Sequence, residues 1–488
     1  MLPTLLLLLA ASDPARPQDG EAPLSYTDAV SRALEANPSL LAAREAVRSA
    51  EGSLLWARGA FDPVLGLSAA DSSTTSEGVS QFGPVYAQFG GVSWGASLSQ
   101  FLPTGTALGL DVSLSRERFR YELLESGTVW EPEDPQYQGS LAVSLSQSLL
   151  EGLKTSWNLQ QVQEGRRAVT AAEAEARAAL LQAVADTATA YWNLRYRQDL
   201  QEIAVEALAV AEEEARVVAA MVEAGRLAPV ETSRVQAAVV QARSSLLEAR
   251  GARHSAADAL SVLLGEAPGT DWIAMSVPEA PAAVDVDEGR VVEAALAGNP
   301  GLEVARLAEE GARADLADAR HGRLPDLDVT ASAGLTGFED SYGGVMGEIA
   351  SGTLPFWSVG AGLTVPLGNR ADRGTLAAAG ATLGGARIAR ESAERTLAEA
   401  VRTQVRAIEA GRESVEYAAA NLEYCQTTLA AEKARQQEGR AIQKDVLEAE
   451  RAVREAQAAL ARARTEYVLA LTELGRLQGR IEGVAVGP

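Results

Sequence analysis

Residues 140–149 read Ser-Leu-Ala-Val-Ser-Leu-Ser-Gln-Ser-Leu, and their alternation decides the fold class. Leu141, Val143, Leu145 and Leu149 fall on one side of an extended chain, Ser140, Ala142, Ser144, Ser146 and Ser148 on the other. That period of two marks a strand with unlike faces. Five more stretches share it: Leu65, Leu67 and Ala69; Val92, Trp94, Ala96 and Leu98; Leu108, Leu110, Val112 and Leu114; Leu327 through Leu335; and Trp357 through Leu367. Six strands are predicted, each near the roughly 9 to 11 residues that cross a bilayer when tilted. A soluble sandwich alternates too, but here the second face is Ser, Gly, Thr and Asp throughout, which suits a watery lumen. Six strands do not close a wide barrel, and open sheet edges are forbidden in lipid. The pattern therefore predicts an oligomer whose chains share one barrel.

Outward from these strands the chain repeats itself. Ala33-Leu34-Glu35-Ala36-Asn37-Pro38-Ser39-Leu40 is echoed by Ala295-Leu296-Ala297-Gly298-Asn299-Pro300-Gly301-Leu302, a shift of 262 that also carries Pro63 onto Pro325. In each Asn-Pro pair the Asn caps a helix and the Pro occupies its first position. The first repeat, 24–264, reads as helices 27–60, strands 64–150, a long helix 153–224 and a return helix 229–264. The second, 288–478, reads as helix 300–322, strands 327–367, a long helix 370–438 and a return helix 442–478. Residues 265–287, rich in Pro, Gly and Asp, form a linker at the waist, and 479–488 a tail. Both long stretches are Ala-rich and free of proline, and at about 1.5 Å per residue each would run roughly 100 to 110 Å. Each return helix plus the helix starting at its Asn-Pro nearly matches the long helix, if the two short pieces stack end to end. Helices alone would also fit a soluble coiled-coil scaffold with a β-rich cap.

The first eleven residues are one short apolar run, too short to span a bilayer, and with Ala10 and Ser12 they predict a signal peptide over 1–12. No stretch is apolar enough for a transmembrane helix. With 43 Lys+Arg against 66 Asp+Glu the net charge is -23, and no basic block of five or more occurs, which argues against nucleic acid. Two histidines and one cysteine exclude a disulfide framework and most metal sites, so no cofactor or metal is expected. His254 and His321 read as surface helix residues, and Cys425 as a small packing residue. Apart from Ser255 beside His254 the scattered serines have no neighbouring histidine, and Gly343-Gly344 and Gly384-Gly385 lack the Lys-Ser/Thr of a phosphate loop, so an enzyme is not expected.

Taken in order, the paired Asn37-Pro38 and Asn299-Pro300, the strands, the long helices and the turns Gly225-Arg226-Leu227-Ala228-Pro229-Val230-Glu231 and Gly439-Arg440-Ala441-Ile442-Gln443-Lys444-Asp445 resemble the TolC family of outer-membrane efflux proteins. The resemblance implies a mixed α and β homotrimer in the outer membrane, its shared transmembrane β-barrel continuous with a long α-helical barrel through the periplasm. It implies an exit duct for efflux or type I secretion, docked on a periplasmic adaptor that links it to an inner-membrane pump or exporter. Residue by residue, Asp445 and Glu448 match acidic positions around the tunnel entrance, with Glu231 six residues after the first turn glycine. Three copies would make a narrow negative ring, partly neutralised by Lys444; the same carboxylates also suit a helix start. Gly225, Arg226, Leu227, Gly439, Arg440 and Ala441 match the hairpin tips that meet the adaptor. The first strand region is 88 residues against 43 for the second, leaving room for an extra hairpin turning at Pro103-Thr104-Gly105. Four plus two strands per chain would give an 18-stranded barrel and two plus two a 12-stranded one; the longer region favours the larger count.

Overall fold

The computed structural model describes residues 22–80, 83–123, 126–132, 134–278, 287–438 and 443–480. The expected signal peptide, the tip residues Gly439, Arg440 and Ala441, and the tail from 481 lie outside the described residues. In chain order the elements are β1 (Ala22–Leu24), α1 (Tyr26–Ala36), α2 (Pro38–Arg58), β2 (Val64–Ser80), β3 (Gly83–Phe101), β4 (Thr106–Leu123), β5 (Val129–Trp130), β6 (Gln136–Ser148), α3 (Thr155–Asn158), α4 (Gln160–Glu223) and α5 (Val230–Leu263). There follow β7 (Trp272–Ala274), α6 (Glu288–Gly298), α7 (Pro300–His321), β8 (Asp326–Glu339), α8 (Tyr342–Ser351), β9 (Pro355–Thr364), α9 (Arg370–Gln437) and α10 (Gln443–Leu477). Two compact units result, a helical one (residues 1–47, 172–305 and 390–488) and one holding the large sheet (48–171 and 306–389).

In the sheet unit, six long strands run antiparallel in the order β2-β3-β4-β6-β8-β9, with β5 beside the upper end of β4. The hairpin turning at residues 103–105 is thus an integral part of the sheet, and β2 pairs with β3 over its whole length. Pairing sets Leu65, Leu98, Leu110, Val143, Ala333 and Trp357 on one rung of one face. The apolar stretch does not stay on that rung. On β3 it is centred three residues above it (Val92 to Leu98), on β9 three residues below (Trp357 to Leu363). A six-residue drift across four strand steps, at about 3.3 Å per residue and about 4.8 Å per step, gives strands tilted roughly 45° to the apolar band.

Three expectations need correction. The strands β2, β3 and β4 have 17, 19 and 18 residues, well beyond a bilayer crossing. Their outer ends carry polar residues on the band-side face, so alternation fades there although pairing continues to Val85↔Leu123. The 327–367 region holds a helix, α8, between its two strands. The long helix proper starts at Gln160, not 153. Before it, the Asn158 amide donates to the carbonyls of Pro103 (3.1 Å) and Gly152 (2.7 Å), pinning this segment to the β3–β4 turn and holding it out of the helix.

In the helical unit the Asn-Pro signature acquires its physical reason. Asn37 ends α1 and starts α2: its Oδ1 accepts from the amides of Ser39 (3.0 Å) and Leu40 (3.3 Å), while its Nδ2 donates to the carbonyl of Leu263 at the end of α5 (3.0 Å). Asn299 repeats this, accepting from Leu302 N (3.1 Å) and donating to Leu477 O at the end of α10 (3.0 Å). Each return helix thus abuts the helix that begins at an Asn-Pro. The return helices close with Gly265 and Gly479, at φ +72° and +70°, where a Cβ would lie 2.4 Å from Ala36 O and 2.1 Å from Gly298 O. Only glycine fits there.

Two cores hold this unit. One gathers Tyr26, Tyr191, Trp192, Leu260 and Trp272 around the parallel pair β1–β7, whose second strand falls inside the expected linker. The other gathers Val401, Val405, Ile408, Leu460 and Tyr467 between α9 and α10. Arg243 of α5 meets Glu212 of α4 at 2.8 Å, Val468 of α10 packs on the α4 core, and Gln404 of α9 donates to Ala470 O of α10 at 2.9 Å. The lateral order is therefore α5, α4, α10, α9.

Candidate functional site: hairpin tips and sheet faces

The first tip forms where α4 stops. Gly225, at φ +70°, lets its own N–H reach Val222 O (3.0 Å) and that of Arg226 reach Met221 O (2.9 Å), closing the helix with a left-handed cap. Arg226 and Leu227 are exposed beyond it, with Met221 and Val230 exposed beside them. Glu231 opens α5 and faces Arg234 at 3.6 Å. At the second tip, Val446 and Ala449 are buried on one side of α10 while Asp445 and Glu448 are exposed on another. Lys444 bridges Glu448 at 3.4 Å.

Between the two hairpins lies a further acid that sequence reading missed. Burial pushes the Glu214 carboxyl above its ordinary value, against a smaller downward pull from Arg234 and with a smaller push from Glu450. Glu450 itself is held by Lys433 at 2.9 Å. Also missed were exposed apolar residues seven apart on the two outermost helices: Val240 and Leu247 on α5, Tyr417 and Tyr424 on α9. The heptad spacing was the available signal.

The sheet's two faces differ as expected. One carries the apolar band, including exposed Leu67, Trp94, Val143, Trp357 and Leu363. The other carries mainly small polar groups, with Ser113···Ser140 and Ser332···Ser358 contacts of 2.8 Å and with Ser148 donating to Asp328, interrupted by the rings of Phe89, Phe119 and Phe356. Helix α8 lies on the apolar face. Val345 and Ile349 are buried against β6 and β8, over Gly139 and Gly337, where a Cβ would meet Val345 Cγ1 at 2.8 Å and Val345 O at 2.7 Å. His321, expected on the surface, is half-buried and its Nε2 donates to Glu151 O (2.7 Å), while Cys425 is only partly covered. Among the described residues no three His, Cys, Asp or Glu side chains gather to hold a metal.

The sequence profile of outer membrane efflux proteins matches residues 29–266 and again 291–480. Among solved structures, the chain resembles the outer membrane protein VceC of Vibrio cholerae, at 20% identity and a TM-score of 0.66, over 93% of this chain and 96% of that one. It likewise resembles the Campylobacter jejuni CmeC outer membrane channel, at 16% identity and 0.68 over 98% and 94%. A third is the open-state Neisseria gonorrhoeae MtrE outer membrane channel, at 19% and 0.66 over 93% and 89%. A search of functionally curated proteins finds no match.

Proposed function

The chain belongs to the family of outer membrane efflux proteins, the TolC family, and from that premise we propose that three copies close into one channel that passes cargo from the periplasm to the exterior. Membership fixes the coarser facts: this is a non-catalytic outer-membrane channel protein. The finer reading rests on the free edges. The sheet begins with β2 and ends with β9, which run in opposite directions and are exposed along their lengths. An open edge has no place in lipid, and an even number of strands lets β9 of one copy pair antiparallel with β2 of the next. Six strands from each of three chains make eighteen. In the helical unit the free sides are α5 and α9, each with heptad-spaced apolar residues uncovered, which suits the same head-to-tail closure.

In this reading the barrel continues into a helical tunnel built from an internally duplicated chain, and the tips contact the partners. Gly225, Arg226, Leu227, Gly439, Arg440 and Ala441 meet a periplasmic adaptor, which joins the channel to an inner-membrane pump or exporter. Asp445, Glu448 and Glu231 surround the entrance. At threefold symmetry Asp445 and Glu448 form a ring that attracts cations and repels anions, its strength reduced by the Lys444–Glu448 bridge. The test is single-channel conductance of the detergent-extracted protein in a planar bilayer. The wild type should give a small, cation-selective conductance, and the Asp445→Ala/Glu448→Ala double variant should lose that selectivity. A monomer that stays soluble without detergent and never conducts would refute the channel assembly; an unchanged selectivity would refute the acidic ring alone.

A further inference from the structure

The face that carries the apolar band ends abruptly on β4. Leu108, Leu110, Val112 and Leu114 are followed on the same side by Arg116, Arg118 and Arg120, a column of three cations in a chain whose net charge is -23. The uppermost is already engaged: Arg120 meets Glu122 at 3.4 Å and Glu131 at 3.9 Å. Among the described residues Arg116 and Arg118 have no carboxylate partner. Asp71 and Glu339, the acids on Arg116's rung, lie two strands away on either side. Arg116 pairs across to Tyr137, whose ring packs edge-on against Tyr342 of α8 at 4.7 Å. Behind Tyr342, the outer side of α8 shows Gly343, Met346, Gly347 and Ala350 and no charge.

Cations, aromatic rings and an uncharged helical surface thus succeed one another at the rim of the apolar band. This rim lies at the end of the sheet away from α2, α4, α7 and α9, the exterior end in the reading above. Tyrosine at such a rim marks the headgroup level. Guanidinium groups there match phosphate oxygens in a bidentate way that free water replaces poorly.

We propose that Arg116 and Arg118, flanked by Tyr137 and the exposed side of α8, bind the phosphate of an anionic outer-leaflet lipid, with Met346 and its small neighbours lying against the acyl chains. The assignment rests on the barrel reading, since only a closed barrel sets this face toward lipid. The arginines contact the headgroup and the α8 surface continues the apolar band, so one lipid spans both chemistries. A soluble phosphate would use the first alone.

The experiment uses the full-length detergent-extracted channel and an outer-leaflet glycolipid bearing phosphates on its sugars. The same lipid with its phosphates removed and inorganic phosphate are the comparison probes, and lipid retention is read by native mass spectrometry. The wild type should keep the phosphorylated lipid at least tenfold better than the dephosphorylated one, with no effect of inorganic phosphate. Arg116→Gln/Arg118→Gln should lose that preference, while Arg120→Gln keeps it and all three proteins conduct alike. Equal retention by the double variant, or equal retention of both lipids by the wild type, overturns the site. Competition by inorganic phosphate would also overturn it, as a simple anion site. A wild type that neither conducts nor survives as an oligomer indicts the barrel reading instead.

Discussion

Replacing Asn37 by alanine should cost the helical unit far more than a surface substitution. The side chain is 2% exposed and joins three backbone groups. Alanine removes a helix N-cap, worth about 1 kcal/mol, and strands the Leu263 carbonyl and the buried Leu40 amide, each costing about 1–3 kcal/mol when left unpaired. With partial relaxation the total is about 2–4 kcal/mol. Two further variants separate the contributions. Asn37→Ser keeps a cap but is too short to reach Leu263, so it should fall between wild type and alanine. Asn37→Asp keeps both capping bonds but turns a carboxylate oxygen toward the Leu263 carbonyl, and should be at least as damaging as alanine. Asn299 provides an independent repeat of the same joint at Leu477. The assay is thermal unfolding of the assembled protein in detergent, all variants at one scan rate because such unfolding is under kinetic control. Alanine at either joint should lower the midpoint by several degrees. If the aspartate melts like wild type, or serine and alanine are indistinguishable from it, the asparagine is not the bridge argued here.

Gly337→Val should press a branched side chain into α8 at Val345 O and Ile349 and cost about 1–3 kcal/mol from overpacking, seen as a lower midpoint with α8 more open to proteolysis; an unchanged midpoint would mean the helix does not rest on this surface. Tyr417→Asp/Tyr424→Asp should leave the chain folded but shift light scattering from oligomer to monomer, and retention of full assembly would remove α9 from the subunit seam. Glu214 carries a pH signature. Its folded-state carboxyl is raised by burial, so the folded chain holds that proton to higher pH than the unfolded one, and stability drops as pH rises through the raised value. Glu214→Gln should therefore stabilise at about pH 7 and lose its advantage near pH 4; a benefit that grows on acidification would reverse the assignment.

The strand pattern was legible because a bilayer imposes it. Wherever β3, β4, β6, β8 and β9 carry the apolar band, one face must be apolar, and residues such as Leu110, Val143 and Val359 say so directly. Outside the band that constraint lapses. The upper halves of β2 to β4 are polar on the band-side face, so their true length was invisible. Helix α8 was hidden for a related reason: Gly343-Gly344 and Gly347 carry little helical signal, and the helix is held by Gly139 and Gly337 on distant strands. The three-residue pair β1–β7 is too short for any periodicity and depends on tertiary contacts, such as Tyr191 donating to Leu24 O at 3.0 Å. The Asn-Pro echo was readable as a repeat, but its reason, a bond to a carbonyl more than 170 residues away, belongs to the folded chain.

The small polar rows of the sheet bear on selectivity. Ser113, Ser140, Ser332 and Ser358 satisfy one another in pairs, and the glycines between them offer no side chain at all. Over that stretch a passing solute meets only short, already paired hydroxyls, while the stronger contacts on this face are confined to Asp111 and Asp328 and, further out, to Phe89 and Phe119. A wall of this kind offers little with which to tell one solute from another along the serine and glycine rows.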